Sequence, residues 1–295
     1  MFNTTIATQI YAKICFEATN SQKKIIENLS EYLSDDDFSR IFVLNGFAGT
    51  GKTTLIAAVV AALKELRIKP VLLAPTGRAA KVLARYCGEQ ALTIHKRIYR
   101  QRTNADYESK FSLDFNREQG AVFIVDEASM LSDSTGDGAL FGSGSLLEDL
   151  VSYVRSGRGC RLILVGDSAQ LPPVGCDFSP ALDPATVSRY GEVVYGLMDE
   201  VVRQQMQSGI LFNATLVRCM LENRIYEIPK FEMDYPDFES VEGGDFMEKL
   251  QDAFDRYGRD EVIVITRSKS GRIVTTKGFA VIFSVPKRRS RAATC

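Results

Sequence analysis

The stretch that decides the fold lies at residues 41–54 and reads Ile41-Phe42-Val43-Leu44-Asn45-Gly46-Phe47-Ala48-Gly49-Thr50-Gly51-Lys52-Thr53-Thr54. It predicts a buried β-strand, a glycine-rich turn and the start of a helix. Gly46, Gly51, Lys52 and Thr53 match the pattern G-x-x-x-x-G-K-[ST], in which backbone N–H groups surround phosphate oxygens. In such a loop the lysine places a charge between the β- and γ-phosphates, and the threonine hydroxyl is a ligand for Mg²⁺.

The residues that follow strengthen this interpretation. An apolar stripe continues at the spacing of an amphipathic helix, through Leu55, Ile56, Val59, Val60, Leu63 and Leu66. A short apolar run at 71–74 then completes a β-α-β unit, which should be right-handed and parallel. An ordinary glycine-rich turn would not need this context. We therefore expect an α/β fold that binds a nucleotide at the loop.

Composition argues against several classes of protein. The 295 residues carry a formal net charge of −1, so there is no overall basic field, and any nucleic-acid contact must be local. The N-terminus does not resemble a leader, and no apolar run of 18 residues occurs, so we expect neither secretion nor a membrane span. The six cysteines are scattered without zinc spacing, which favours reduced thiols in a cytoplasmic protein.

Polar residues follow the strand predicted at 71–74. Thr76 and Arg78 lie in a turn that leads into another helix, a place where an open α/β sheet binds ligands. Backbone N–H groups there, with Arg78 beside them, could hold a phosphate of a polymer. An N-capping threonine next to a solvated arginine explains the same residues equally well, so both interpretations stay open.

Two carboxylates end the next buried strand, at 121–125. A site built on a phosphate-binding loop needs an acid here to hold Mg²⁺, and a hydrolase also needs a base that orients the attacking water. Asp126 fits the first role and Glu127 the second. A pair of solvated acids is the alternative, and the phosphate-binding loop earlier in the chain disfavours it.

A fourth strand, predicted at 161–165, leads to Asp167 and Gln170 at the same edge of the sheet. Gln170 is a candidate sensor of the γ-phosphate. Further along, Arg203 follows a short apolar segment and is a candidate for the positive group that stabilises charge on the transferred phosphoryl. A surface salt bridge is the simpler explanation of any single arginine.

Three features complete this half of the chain. Gln22 lies on a helix ahead of the first strand, where its amide could pair with an adenine edge; a solvated surface glutamine is the alternative. His95 is the only histidine, and a lone histidine is more often structural than functional. The polar stretch at 99–119 is too long for a simple connection and predicts a small inserted hairpin.

The last third of the sequence offers fewer signals. Residues 226–261 hold twelve acids against four bases, which is not typical of a nucleic-acid surface. One more strand is predicted at 261–266. The tail at 271–295 has no clear periodicity and becomes basic, so we expect a disordered end.

Six segments resemble, in order and wording, the motifs of superfamily 1 helicases of the RecD and Dda type: Gly46–Thr54, Ala74–Lys81, Thr93–Lys96, Val125–Met130, Gly166–Pro173 and Glu200–Gln204. Four of these motifs, GFAGTGKTT, APTGRAA, VDEASML and GDSAQLPPV, are together highly specific. The resemblance covers about residues 20–270. It implies a RecA-like P-loop NTPase domain with a parallel sheet at 1–185, an inserted element near 97–119, and a partial second RecA-like domain at 186–270.

The resemblance also implies a role for each matching residue. The implied cofactors are ATP and Mg²⁺, with the nucleotide held by Gln22, Gly46, Ala48, Gly49, Thr50, Gly51, Lys52, Thr53 and Thr54, and the metal by Thr53 and Asp126. The implied catalytic residues are Lys52, Glu127, Gln170 and Arg203, the last reaching in from the second domain. Single-stranded DNA is the implied partner, at Thr76, Arg78, Thr93 and His95. The family moves 5′ to 3′, and protein partners in DNA repair or recombination are implied with it.

The resemblance ends in the second domain. Two family motifs, a DNA-gripping T-x-H-K-[SA]-Q-G-like segment and a later one with a second catalytic arginine, are not found, and Lys269 to Cys295 reads like unrelated sequence. We therefore expect a chain truncated in its second motor domain. An ATP-dependent DNA helicase is the leading hypothesis, and an ATP-binding module without productive unwinding is the rival. A small-molecule kinase would explain the phosphate-binding loop but not the DEAS and GDSAQLPP segments.

Overall fold

The computed structural model describes residues 2–103, 109–133, 141–200, 208–265 and 281–284. The chain divides into two compact units, which are described separately. The first unit comprises Met1–Gln207 and Leu211–Lys230, and the second comprises Ser208–Ile210 and Phe231–Cys295. Within the described ranges, no helix is long and apolar enough to cross a membrane.

A parallel sheet of six strands organises the first unit. The strands of the described chain are β1 Ile41–Gly46, β2 Pro70–Ala74, β3 Ala91–Thr93, β4 Tyr99–Thr103, β5 Ser109–Leu113, β6 Val122–Val125, β7 Arg161–Gly166, β8 Val193–Met198, β9 Val262–Ile265 and β10 Val281–Ser284. The sheet has the order β3-β2-β6-β7-β1-β8. Ile41 lies opposite Leu162 on one side and Val193 on the other, and every neighbouring pair runs parallel.

The helices of the described chain are α1 Phe2–Lys13, α2 Asn20–Ser34, α3 Lys52–Glu65, α4 Gly77–Cys87, α5 Ile94–Ile98, α6 Leu146–Ser156, α7 Pro184–Val187, α8 Gly209–Glu222 and α9 Phe246–Tyr257. In the first unit, helices pack on both faces of the sheet, and α9 belongs to the second unit. Successive residues of β1 contribute to two cores, because side chains alternate across a strand. Phe42 packs with α1, α2 and α3, whereas Val43 packs with α5 and α6. Burial on both faces explains why these strands read as continuous apolar runs.

The connections bring several loops to one edge of the sheet. Parallel strands all end at the same edge, so the segments after β1, β2, β6 and β7 meet there. The α/β class with a parallel sheet, predicted from the sequence, is confirmed. The apolar stripe after the loop forms one buried face of α3, with Leu55, Ile56, Val59, Val60 and Leu63 at 1% exposure or less.

A two-stranded antiparallel hairpin, β4 and β5, lies within the region of the predicted inserted element. Tyr99 is opposite Leu113 and Thr103 is opposite Ser109. Rings pack at the base of this hairpin: Phe111 stacks on Phe141 with centroids 4.5 Å apart, and His95 meets Phe141 edge-on at 5.1 Å. The lone histidine therefore has a packing role in this structure.

The first unit extends beyond residue 185, where the sequence placed its boundary. β8 pairs with β1 along its whole length, from Val193 to Met198, so it belongs to the same sheet. Gly196 lets α2 pack closely on β8, since a Cβ at that position would lie 2.2 Å from Cδ1 of Ile25 and would force that side chain to move. The sequence analysis assigned this segment to the second domain, because nothing local in Val193–Met198 shows that its partner is β1, about 150 residues earlier.

The second unit, taken by itself, contains α9 and an antiparallel pair. β9 pairs with β10, with Val262 opposite Ser284. β9 is the strand predicted at 261–266. β10 lies inside the tail at 271–295 that was expected to be disordered; the rest of that tail lies outside the described residues. A partial second RecA-like domain stays a prediction.

Candidate nucleotide-binding and catalytic site

The phosphate-binding loop joins β1 to α3. Gly49 and Gly51 have φ values of 77° and 85°, a left-handed conformation that glycine adopts without steric cost. Gly51 is also the N-cap residue of α3, so the first turn of the helix directs its free N–H groups at the loop. The N–H of Phe47 donates to the Met198 carbonyl at 2.9 Å, which attaches the loop to the end of β8.

Lys52 lies folded along this loop. Its Nζ donates to the carbonyl oxygens of Gly46 at 2.6 Å and Phe47 at 2.9 Å. A Cβ at position 46 would come within 2.9 Å of Cγ and Cδ of Lys52, so only glycine leaves room for the lysine there. Burial lowers the pKa of Lys52, and the charges of Asp167, Glu127 and Asp126 oppose that shift. Three carboxylates and the Arg218 cation thus act on the charge of Lys52.

Gln22 is fully buried behind the loop, so a solvated surface glutamine is wrong. Its Nε2 donates to the Thr50 carbonyl at 2.9 Å, and its Oε1 accepts the Thr19 N–H at 3.0 Å. Thr19 in turn caps α2, which completes a capping box. The amide therefore supports the phosphate-binding loop directly. Adenine contact by Gln22 is not tested by this geometry and remains a prediction.

Asp126 and Glu127 stand where β6 ends. The Glu127 N–H donates to Oδ1 of Asp126 at 3.0 Å, and the Asp126 N–H donates to the Leu73 carbonyl at the end of β2. Burial raises the pKa of Asp126. Burial also raises the pKa of Glu127, and the charges of Asp126 and Asp167 act in the same direction. Two adjacent acids with raised pKa values at a cleft edge are typical of a catalytic pair.

The turn after β7 carries Asp167 and Gln170. Asp167 is 1% exposed, while Gln170 is exposed to solvent. Asn45 of β1 holds this turn: its Oδ1 accepts the Ser168 N–H at 3.0 Å, and its Nδ2 donates to Oγ of Ser168 at 2.9 Å. The Gln170 N–H donates to the Asp167 carbonyl at 3.1 Å, so the two residues belong to one rigid turn.

Arg218 on α8 is a further residue of this site, which sequence reasoning missed. Its Nη2 lies 2.6 Å from each carboxylate oxygen of Asp167. Its guanidinium carbon lies 3.9 Å from the centroid of the Phe47 ring, in the phosphate-binding loop. The only sequence signal is a single cation within the otherwise uncharged run ILFNATLVRCM, and nothing in the sequence links that run to the loop.

The remaining predicted site residues are those expected to bind DNA, which the structure describes, and Arg203, which it does not. Thr76 caps α4 by accepting the Ala79 N–H, and Thr93 caps α5 by accepting the Lys96 N–H, each at 3.2 Å. Both threonines stand at the same edge of the sheet, because β2 and β3 are neighbours. The N-capping interpretation of Thr76 is confirmed, and exposed Arg78 follows it. Arg203 lies outside the described residues.

Mg²⁺ fits the residues that are present. This ion keeps several of its waters and takes one or two protein oxygens together with phosphate oxygens. Thr53, in the first turn of α3, and Asp126, at the end of β6, supply such oxygens on the same edge of the sheet. Glu127 stands next to them as a half-buried base whose pKa is raised by desolvation. The arrangement can hold a nucleotide, its metal and an attacking water.

Comparison with known proteins gives the family. The family described as the AAA domain matches residues 18–211, which include β1 to β8 and all the residues above except Arg218. The chain belongs to this AAA domain family. Together with the parallel sheet and the phosphate-binding loop, this match confirms the RecA-like P-loop fold.

Three relatives with similar sequences are named as helicases or as a subunit of the RecBCD enzyme. The ATP-dependent RecD2 DNA helicase of Deinococcus radiodurans is 31% identical over 154 residues, which cover 52% of this chain and 19% of the relative. The RecBCD enzyme subunit RecD of Mycobacterium tuberculosis is 32% identical over 201 residues, which cover 55% of this chain and 32% of the relative. The ATP-dependent DNA helicase dda of Enterobacteria phage T4 is 34% identical over 136 residues, which cover 44% of this chain and 28% of the relative.

These relatives confirm the resemblance to superfamily 1 helicases of the RecD and Dda type. The matched segment corresponds to at most about a third of the length of each of the three, since the covered shares are 19%, 32% and 28%.

Proposed function

We propose that this AAA domain protein is the ATP-hydrolysing motor of a DNA helicase. The observation that carries the proposal is the meeting of Lys52, Asp126, Glu127 and Asp167 beside the phosphate-binding loop. All three carboxylates act electrostatically on Lys52, which places them in one site, although they come from different segments. A nucleoside triphosphate with its metal complements these charges, because its phosphates are attracted to Lys52 and the metal ion to the carboxylates.

The residues divide the work of ATP hydrolysis. The loop N–H groups and the start of α3 bind the phosphates, and Lys52 exchanges its two loop carbonyls for phosphate oxygens. Thr53 and Asp126 would hold Mg²⁺, which would supply positive charge against the phosphates. Glu127 orients the attacking water and accepts its proton, which its raised pKa favours. Gln170, on the turn after β7, faces solvent where a γ-phosphate contact would form.

Single-stranded DNA is the proposed polymer. Thr76 and Thr93 begin neighbouring helices at the edge of the sheet where ATP would bind, and helix N-termini bind phosphate groups. Arg78 adds an exposed positive charge next to Thr76. His95 is half-buried, and burial lowers its pKa, so it would contact DNA as a neutral ring. We propose that ATP hydrolysis is coupled to movement along this strand.

Five finer assignments are proposals, of which the cytoplasmic location rests on the scattered cysteines and the other four on the resemblance. We propose movement in the 5′ to 3′ direction, a role in DNA repair or recombination, and a cytoplasmic location. A protein partner belongs to the same proposal, since one relative is named as a subunit of the RecBCD enzyme. Arg203 is proposed as the arginine that stabilises the transferred phosphoryl.

Steady-state ATP hydrolysis with and without a single-stranded oligonucleotide tests the proposal. We expect stimulation of about tenfold or more, lost in Glu127→Gln, because the amide cannot accept a proton from water. Glu148→Gln, at an exposed position in the first turn of α6, is the matched control and should behave like the wild type. Lys52→Ala should lose nucleotide binding.

The rival is an ATP-binding module without productive unwinding. It is kept because the two second-domain motifs of the resembled family are not found in this sequence. Wild-type protein that binds ATP but hydrolyses it no faster than Glu127→Gln, with or without DNA, would support the module and overturn the motor. DNA-stimulated turnover would overturn the module.

A further inference from the structure

Arg218 connects α8 to two parts of the nucleotide site. Its side chain is 9% exposed, and that of its partner Asp167 is 1% exposed. One nitrogen, Nη2, lies 2.6 Å from both oxygens of that carboxylate. The flat guanidinium lies over the Phe47 ring at 3.9 Å, a cation–π contact that is strongest away from water. Phe47 belongs to the loop whose carbonyl oxygen accepts from Lys52.

The turn from Asp167 to Gln170 is therefore fixed at two points. Asn45 holds Ser168 from β1, and Arg218 holds Asp167 from α8. Within the turn, Oδ1 of Asp167 also accepts the Ala169 N–H at 3.0 Å. Rotation of the Asp167 carboxylate would thus disturb the backbone that carries Gln170. A buried carboxylate without its cation is unfavourable, so removing Arg218 should release this turn.

The charge of Arg218 also reaches Lys52, whose surroundings include Asp167, Glu127, Asp126 and Arg218. Pairing with Arg218 therefore offsets part of the effect that the Asp167 charge has on Lys52. Arginine suits this position because its plane can lie on a ring while its edge binds a carboxylate.

We propose that Arg218 is a positioning residue for ATP hydrolysis, which holds the Asp167–Gln170 turn against the phosphate-binding loop through Asp167 and Phe47. This inference rests on the proposed function of the site. Arg218 does not need to contact ATP. Its effect is on the placement of Gln170 and Lys52 when charge develops on the γ-phosphate.

Turnover by the full chain with saturating single-stranded DNA is the first measurement. Arg218→Gln should lower kcat for ATP about tenfold or more, while KM stays within about threefold, because ground-state binding by the loop is retained. Arg218→Lys keeps the charge, so its decrease in log kcat should be less than half of the decrease in Arg218→Gln. Asp167→Asn combined with Arg218→Gln should be no worse than the poorer single variant, since the two residues act as one unit. Arg158→Gln, an exposed arginine, is the matched control.

A second measurement does not need turnover. The affinity for ADP with aluminium fluoride and Mg²⁺, divided by the affinity for ADP with Mg²⁺, reports how well the site accepts the geometry of the transferred phosphoryl. We expect Arg218→Gln to reduce this ratio about tenfold with ADP affinity nearly unchanged, and circular dichroism to show the wild-type fold.

The outcomes separate this inference from the proposed function. Wild-type protein without DNA-stimulated hydrolysis would contradict the proposed motor function. A lower ratio of the two affinities in Arg218→Gln than in the wild type would still support the positioning role. The inference is overturned if the ratio is the same in wild type and Arg218→Gln, or if both affinities fall together as general loss of structure would make them. It is equally overturned if Arg218→Lys is as impaired as Arg218→Gln.

Discussion

Glu127 has a backbone φ of 55°, which is unfavourable for a residue with a side chain. It directly follows Asp126 where β6 ends, and both acids act on the charge of Lys52. Unfavourable backbone geometry of this kind concentrates at functional sites, because the surrounding structure must hold it in place. At the scale of single residues, the turn after β6 thus supports different tasks for two adjacent acids, metal binding by one and proton transfer by the other.

A pH profile tests Glu127 as the base. Burial raises its pKa above the ordinary value of 4.5, and the negative charge of Asp126 acts in the same direction. Only the ionised carboxylate can accept a proton from water, so activity should fall as pH drops through this raised pKa. We expect the acid limb of kcat/KM for ATP to lie above pH 4.5, with ADP affinity constant across it. The assignment would be contradicted by an acid limb at lower pH. It would also be contradicted by an ADP affinity that falls over the same pH range as kcat/KM.

At the scale of elements, threonines begin three helices around the site. Thr19, Thr76 and Thr93 each accept a backbone N–H in the first turn of α2, α4 and α5. The caps fix where each helix starts, and the helix starts place Gln22 and Arg78. A capping hydroxyl that also contacts DNA would serve two purposes, which separate substitutions can distinguish.

Two substitutions of Thr76 separate the cap from DNA contact. Thr76→Ala removes the acceptor of the Ala79 N–H and should cost about 1 kcal/mol of unfolding free energy, measured with urea. Thr76→Asp keeps an acceptor, so the unfolding free energy should change by less than about 0.5 kcal/mol. Its negative charge would repel a DNA phosphate, and the oligonucleotide concentration for half-maximal stimulation should rise about fivefold.

The control for this charge is Ser152→Asp, at an exposed position of α6. It adds the same charge to another helix and should leave the response to DNA unchanged. If Thr76→Asp responds to the oligonucleotide as the wild type does, Thr76 is a cap and nothing more.

At the scale of the whole molecule, charge limits how DNA can be held. The chain has a formal net charge of −1, so no general basic field attracts the polymer. Of the four residues proposed to contact DNA, Arg78 is the one with a permanent positive charge, because burial lowers the pKa of His95. The helix starts at Thr76 and Thr93 offer N–H groups in place of further cations.

The salt dependence of DNA binding follows from this. Each phosphate neutralised on a single strand adds about −0.7 to the slope of log affinity against log salt concentration, so with Arg78 as the one permanent cation we expect a slope of about −0.7. Arg78→Gln should reduce the slope by about 0.7, and Arg158→Gln should not change it. A wild-type slope steeper than about −4 would show a basic surface beyond the four proposed residues.

The sequence predicted the parts of the fold that depend on local pattern. The apolar runs at 41–46, 71–74, 121–125 and 161–165 are strands of the parallel sheet, because strands buried on both faces must be apolar throughout. The helix α1 was not predicted, and β8 was assigned to a second domain. β8 exposes alternate residues, and its place is decided by hydrogen bonds to β1, far away in sequence.

By itself the sequence determined the phosphate-binding loop, the acids at the ends of β6 and β7, and the family, because fixed spacings within short segments carry that chemistry. Only the tertiary structure decided which distant residues support the site. Gln22 lies behind Thr50, Asn45 holds Ser168, and Arg218 pairs with Asp167 across 51 residues. No local pattern records such contacts, since they depend on how helices and strands from separate parts of the chain pack around one edge of the sheet.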